Sequence, residues 1–434
     1  MKILFAVFPV TGFLNPILAI ARMARSRGDV ALLTTASHFA PAVEAAGGRF
    51  FPLAAGADID YREIEKIIPE RAWLPPGLPL LRVMLERGVL DPMQAQAETL
   101  RALVDAEAPD IIVSSGHLFM GTTPLFLDRS RPRPPIVTCG VSILLLDRPD
   151  GAPPYMGLPP ARDEADRARY AAIAAEADAA FHEPVRAYAD AKLAAMGLPR
   201  LPCSFFQSRV LLADAYLQPT VPAFEYDFGP LPPHVHFVGA LPPPPMSQSP
   251  RPDWWGDLDG GRKLVLVTQG TFANLNFAEV IEPTLAALDD RDDLLVLVTT
   301  GGRPLENIRG PIPANARLAT FLDFEALLPR LDLVVTNGGY GTVSLALRAG
   351  VPIVSAGLTE DKAEVGSRVA WSGVGVNLAS NAPSVEAVRD GVDRVLGDPS
   401  YKDRARALAA DFAAIDTPRA IFAILDRLVA ERAP

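Results

Sequence analysis

Three groups of residues have types and spacings that could do chemistry. The first is Thr336-Asn337-Gly338-Gly339-Tyr340-Gly341-Thr342, which follows the apolar run Leu331 to Val335 and precedes a helical pattern. A helix opens with unpaired N–H groups and a partial positive charge. Glycines let the backbone approach an anion closely. A phosphate or diphosphate suits such a turn; the alternative is a tight strand-to-helix turn with no ligand. The pattern is neither a P-loop nor G-x-G-x-x-G, so neither ATP hydrolysis nor a dinucleotide is indicated. The second group, Thr359-Glu360-Asp361-Lys362, sets two carboxylates beside a cation. It either meets a ligand or is a surface ion pair of small worth. The third is the histidines, which titrate near neutral pH. His117 follows the apolar run Asp110 to Ser115, at what would be the carboxyl end of a strand, and is the candidate general base. Its alternative is a capping or surface role. His38, His182, His234 and His236 fall in loop or helix-surface patterns.

Other signals are weaker. Asp58-Ile59-Asp60 and Asp257-Leu258-Asp259 have D-x-D spacing, but neither directly follows a clear buried strand. They read as loop charge, and no metal is expected. Cys139 and Cys203 form no C-x-x-C pair and no zinc-ligand spacing. Two free thiols fit a reducing cytoplasm.

Positioning such groups takes a scaffold, and the chain is long enough for one. Its 434 residues imply about two or three domains. With 49% hydrophobic residues, large cores can form and disorder is not expected. The net charge of -10 and the lack of a basic run argue against a nucleic-acid partner. Lys2 to Phe8 reads as a strand buried on both faces rather than a leader, because a turn follows at once. No run approaches a membrane span; Ile136 to Leu146 is short and interrupted by Thr138, Cys139 and Ser142.

The opening then reads as a βαβ unit. Val10 to Leu14 is a loop, Asn15 a cap, Pro16 the first helical residue, Ile17 to Arg27 a helix and Val30 to Thr35 a strand. Further strands are expected at Asp110 to Ser115 and Pro135 to Val141, with an Ala-rich helical segment from Asp163 to Met196. Pro242 to Pro252 is rich in proline and reads as a stiff exposed linker. The alternation restarts with strands at Lys263 to Thr268, Leu294 to Thr299, Arg317 to Phe321, Leu331 to Thr336 and Pro352 to Ser355. Helices fall at Phe277 to Leu288, Gly341 to Ala349 and Ala363 to Ser372. Such α/β sheets bind ligands at the carboxyl ends of their strands, here in a cleft between two domains.

The whole chain resembles the GT-B fold glycosyltransferases of family 1, which use nucleotide-diphosphate sugars. The likeness is most specific from Phe321 to Leu378: the glycine-rich turn, Ala346-Leu347, Gly350-Val351-Pro352, Thr359-Glu360-Asp361-Lys362 and Ser372-Gly373-Val374-Gly375. Val235-His236-Phe237-Val238-Gly239 and Gly12 with Asn15-Pro16 also match. The resemblance implies two doubly wound, Rossmann-like parallel-sheet domains facing across a cleft. Residues 1–240 would bind acceptor, 241–262 form the linker, and 263–415 bind nucleotide sugar. Residues 416–434 would form a helix packing back on the first domain.

It also implies roles. Gly338, Gly339, Gly341 and Thr342 would hold the diphosphate, with Gly270 and Thr271 as a second phosphate-side loop. Asn337 stands where the family usually has His. Phe321 would stack on the base, Glu360 and Asp361 would meet the sugar, and Lys362, replacing the usual Gln, would meet the sugar or phosphate. Leu345 replaces a ribose-gripping Glu, which favours a dTDP-sugar over a UDP-sugar. Gly12, in the N-terminal loop, would also bind the donor. Phe13 occupies the place of the family's catalytic His, and the partner carboxylate falls near Ser115 or Gly116. The expected activity is therefore inverting, metal-independent hexosyl or deoxyhexosyl transfer to a small hydrophobic acceptor. No cofactor is implied, and a homodimer is left open. The missing base supports one alternative, a catalytically silent nucleotide-sugar binder; a nucleotide-sugar 2-epimerase is another. Leu74 to Pro79 and Pro149 to Pro160 are expected as loops over the acceptor pocket.

Overall fold

The computed structural model describes residues 1–75, 77–116, 118–243, 251–271 and 274–432. Its apolar runs pair into two sheets, all of whose strands are parallel. The first contains β1 (Lys2–Ala6), β2 (Val30–Thr35), β3 (Arg49–Pro52), β4 (Ile111–Ser115), β5 (Ile136–Cys139), β6 (Ala215–Gln218) and β7 (Val235–Phe237). Their order is β3-β2-β1-β4-β5-β6-β7. The second contains β8 (Lys263–Thr268), β9 (Leu294–Thr299), β10 (Ala316–Ala319), β11 (Leu333–Thr336), β12 (Ile353–Ser355) and β13 (Gly375–Asn377). Their order is β10-β9-β8-β11-β12-β13. Helices cover both faces, so the central strands β1, β4, β8 and β11 are buried except at the first residues of β1 and β8, Lys2 and Lys263.

Strand order reverses between β1 and β4 in one sheet and between β8 and β11 in the other. Chains leaving neighbouring strands at such a point diverge to opposite faces and open a crevice at their carboxyl ends. These crevices receive Phe13 and Gly116 from the first sheet, and Gly270 and Asn337 from the second.

Several local expectations need correction. The first helix runs Thr11–Ser26, with Val10 as its extended N-cap and Pro16 inside it. Asn15 is therefore not the cap, and Val10 to Leu14 is not a loop. Pro16 removes only the bond that the Gly12 carbonyl would accept. Leu78 and Pro79 open the helix Leu78–Leu85 rather than lying in a loop. Phe277 to Leu288 is a short 3-10 turn followed by the helix Ile281–Ala287. Asp253–Asp259, read as linker, is a 3-10 helix that buries Leu258 and donates from Trp254 Nε1 to the Leu318 carbonyl at 3.2 Å. Pro244 to Pro250 lie outside the described residues.

The last helix, Thr417–Ala430, returns to the first sheet. Ile421, Phe422, Ile424 and Leu425 share a core with Ile3, Phe5 and Ile17. Arg27 forks onto Asp426 at 2.7 and 2.8 Å and lies 4.5 Å over the Phe422 ring. Among the described residues no helix is long and apolar enough to cross a membrane. Cys139 and Cys203 are free thiols, and burial pushes the Cys139 thiol up to about 12.

Candidate active site

Each switch point is braced by one side chain. In the first sheet the Phe8 N–H donates to Ser115 Oγ at 2.8 Å, so the loop after β1 is held to the end of β4. Ser115, expected near the partner carboxylate, is thus a structural hydroxyl. Phe13 lies in the first turn of the helix and meets Phe8 edge-on, with ring centroids 5.3 Å apart. Gly116 has φ +49, and a Cβ there would lie 2.8 Å from Val141 and 3.4 Å from the Phe13 ring. His117 lies outside the described residues.

In the second sheet Asn337 Nδ2 donates to the Gln269 carbonyl at 2.9 Å, tying the loop after β11 to the loop after β8. At least one donor of the side chain expected to meet phosphate therefore also serves the scaffold. Gly270 (φ +70) and Gly338 (φ +87) take conformations that L side chains rarely adopt. A Cβ on Gly338 would also come within 3.2 Å of the Ala356 carbonyl oxygen. These turns deliver the chain into the helix Tyr340–Arg348, whose N-cap is Gly339 with no side-chain cap. Around Gly341 nothing would meet a Cβ, so the amino end of this helix stays open.

One cavity of 790 Å³ joins the two switch points. From the second sheet its lining includes Gly270, Thr271, Asn337, Gly339, Gly341 and Thr342. Gly338 supports the turn from behind and is not part of the lining. Glu360, Asp361, Lys362, Phe321 and Leu345 line the same cavity, as do Gly12 and Phe13 from the other domain. Apolar groups including Phe8, Tyr61, Met84, Leu85 and Phe206 complete the wall contributed by the first domain. Tyr155, from the expected loop Pro149 to Pro160, lies 4.9 Å from the Phe206 ring and also lines it.

Phe321 is 51% exposed and its ring covers Gly302, where a Cβ would fall 2.7 Å from it. It is not a core residue; the tip of its ring meets the Gly302 backbone, and the ring remains half exposed. Lys362 is only 6% exposed, whereas 43% of the side chain of its partner Glu360 is exposed. Its Nζ bonds Glu360 Oε2 and lies 3.1 Å from Thr359 Oγ1. Burial raises the Glu360 carboxyl, but the adjacent Lys362 more than offsets this and holds it below its ordinary value. Glu360 also sits at φ +52, a backbone region uncommon for non-glycine residues. Burial pushes the Asp361 carboxyl up, opposed by Ser142 and Lys362 and aided by Glu360.

The D-x-D acids are engaged elsewhere. Asp58 accepts from the Ser37 N–H at 2.7 Å and from its hydroxyl, and Asp60 pairs with Arg62. Asp257 pairs with Arg317 at 2.6 Å and Asp259 with Arg330 at 2.5 Å. Among the described residues no cluster of three or more His, Cys, Asp and Glu side chains could hold a metal. His38, His182, His234 and His236 stay out of the cavity lining. Three sit near Asp60, Asp178 and the Val210 carbonyl, and burial lowers His236.

Sequence reasoning missed several cavity residues. Ser344 lines the cavity, and its buried Oγ has no partner among the described residues. Ser142 donates to Asp361 Oδ2 at 2.5 Å across the cleft. The one sequence cue for Ser142 is its polarity inside the apolar run Ile136 to Leu146.

Comparison with known proteins agrees with this geometry. Residues 282–428 match the family model "Erythromycin biosynthesis protein CIII-like, C-terminal domain". "UDP-glycosyltransferase 2" of Phaeomoniella chlamydospora is 36% identical over 99% of this chain and 96% of its own length. "4'-demethylrebeccamycin synthase" of Lentzea aerocolonigenes is 36% identical over 96% of both chains. Among solved structures, the calicheamicin glycosyltransferase CalG4 superposes with TM-score 0.71 at 19% identity, covering 100% of this chain and 99% of that one. The Streptomyces sp. SF2575 glycosyltransferase SsfS6, complexed with thymidine diphosphate, gives TM-score 0.63 at 18% identity, covering 98% and 99%. With two switch points facing one cavity and relatives alike over nearly the whole chain, the protein belongs to the GT-B fold, family 1 glycosyltransferases that use nucleotide-diphosphate sugars.

Proposed function

We propose that the chain transfers a hexose or deoxyhexose, with inversion and without a metal, from a nucleoside diphosphate to a small apolar acceptor. The observation that carries this is the single cavity with two unlike walls. One wall is the open amino end of the helix Tyr340–Arg348; the other is built from Phe8, Tyr61, Met84, Leu85 and Phe206. Helix N–H groups and the helix dipole stabilise a diphosphate as it departs. Phe321 offers its half-exposed ring to the base. The test is turnover: released nucleoside diphosphate together with a glycosylated acceptor supports transfer. Donor binding without release supports the silent binder that Phe13 suggests.

The donor reading favours dTDP. Leu345 accepts no hydrogen bond from a ribose hydroxyl. The name of the Phaeomoniella relative points instead to UDP. Comparing kcat/KM for UDP-glucose and dTDP-glucose decides; equal or better turnover with the UDP-sugar removes the dTDP preference.

Phe13 cannot take the acceptor's proton, so His117 is the candidate base. Its neighbour Leu118 lines the cavity, and Gly116 lies against Phe13. Positioned general bases contribute about 10²–10⁴ in rate. His117→Ala should therefore lower kcat by about that factor without moving the Kd for nucleoside diphosphate. A fall below about tenfold would leave the base role to an already ionised acceptor. The thiols Cys139 and Cys203 suit a reducing, cytoplasmic setting.

A further inference from the structure

The loop after β5 is tied to the donor half of the cleft at three places. First, Ser142 Oγ donates to Asp361 Oδ2 at 2.5 Å. Second, Gln218, the last residue of β6, donates from Nε2 to the Ser142 carbonyl at 2.8 Å and to the Tyr340 hydroxyl at 2.7 Å. Third, the Leu144 N–H donates to Glu225 Oε1 at 3.1 Å, while Glu225 Oε2 accepts from Arg368 Nε at 2.8 Å. Arg368 also donates to Glu364 Oε2 at 2.8 Å, and its guanidinium lies 4.1 Å over the Tyr226 ring.

These links share a geometry. Asp361, Glu364 and Arg368 are spaced by three and four residues, so they lie along one face of the helix Lys362–Trp371 and at its start. Ser142, Gln218, Glu225 and Arg368 are each no more than 3% exposed. A Cβ at Gly140 would fall 2.6 Å from the Tyr216 hydroxyl and 2.9 Å from Gln218 Oε1, so only glycine lets the loop reach Gln218. A buried ion pair gains little over an apolar contact, but it has direction. The Glu225–Arg368 pair therefore sets the register of one element against the other.

We propose that Ser142, held by Gln218 and by the Glu225–Arg368 pair, is a specificity-determining positioning residue that orients Asp361 toward the donor sugar. Recognition of the sugar's hydroxyls is then set from the acceptor domain, across the cleft. This rests on the donor reading above. With Oδ2 fixed by Ser142, Asp361 presents Oδ1 in one orientation, and an epimeric hydroxyl meets it badly. Without Ser142 the carboxylate can turn and accept from either epimer.

The experiment compares wild type with Ser142→Ala and Glu225→Gln. It measures kcat and KM for UDP-glucose and UDP-galactose and for the dTDP pair, the Kd of bare UDP and dTDP by calorimetry, and Tm. The expected result for Ser142→Ala is a loss of about five- to tenfold in the preference between epimers, the scale of one hydrogen bond. The Kd of the bare nucleotide stays within about twofold, because the glycine-rich turn is untouched. Glu225→Gln keeps the shape and the bond to Leu144, and shifts the preference in the same direction. The acid limb of donor kcat/KM also moves up in pH in Ser142→Ala. The removed hydroxyl and Lys362 lower the Asp361 carboxyl, whereas burial and Glu360 raise it and the buried Tyr155 hydroxyl also faces it. An unchanged epimer preference, or an equal loss for both epimers with a parallel loss of bare-nucleotide affinity, overturns the proposal. Failure of the wild type to bind any of these nucleotides overturns the donor reading itself, and this inference with it.

Discussion

Lys362 is a buried cation where the family usually carries a neutral amide. Its Nζ meets Glu360 and Thr359, and its side chain lines the cavity beside Asp361. Hydrogen bonds to a charged group are worth about 1.5–3 kcal/mol when buried. Lys362→Gln should therefore lower donor kcat/KM by about tenfold or more, measured across several nucleotide sugars. Unchanged kinetics with every donor would mean that the ammonium serves Glu360 alone. Asn337 shows a different economy of side chains. Part of its amide braces the Gln269 loop, so under the proposed donor reading the backbone N–H groups would be the principal ligands of the diphosphate. Neither function could be read from the residue type. A Lys beside two acids looks like a surface pair until the fold buries it.

At the level of elements, the glycine-rich turn depends on backbone shape more than on side chains. Gly338 sits at φ +87, with the Ala356 carbonyl oxygen 3.2 Å from where a Cβ would be. An L residue in this left-handed region costs about 1–2 kcal/mol. Gly338→Ala should lower Tm by a few degrees and weaken UDP and dTDP binding by about tenfold or more, read by thermal shift and calorimetry. Retained affinity would show that the turn does not hold the diphosphate. This element was legible in the sequence because strand, turn and helix are contiguous. The continuous apolar runs of β1, β2, β8 and β9 were legible because strands buried on both faces need no alternation. The strands β3, β6, β7 and β13 were not expected, although β5, β10, β11 and β12, equally short, were. The start of the first helix was misread because Asn15-Pro16 is a good local cap signal. Folding instead extends the helix back to Thr11 and gives up the one bond Pro16 cannot make. The cross-cleft bonds were beyond reach for another reason. Ser142 to Asp361 and Glu225 to Arg368 join residues 219 and 143 positions apart.

For the whole molecule, the helix Thr417–Ala430 makes the two halves interdependent, since it ends the chain on the first domain's sheet. Burying Ile421, Phe422, Ile424 and Leu425 contributes about 1.5–3 kcal/mol each. Together this is comparable with the whole stability of a domain, about 5–15 kcal/mol. Ending the chain before Thr417 should therefore give insoluble protein, or protein without a cooperative thermal transition by circular dichroism. A soluble, cooperatively melting truncation would show that the first domain does not need this helix. The central claim, however, concerns the cleft: both domains face one donor whose charge rests on the helix opening at Tyr340. A crystal structure of the chain soaked with UDP and with dTDP tests it most directly. The account predicts a pyrophosphate within hydrogen-bond distance of the N–H groups of Gly339 to Thr342, with the base against Phe321. A pyrophosphate bound elsewhere, or a turn left empty at saturating nucleotide, would contradict it.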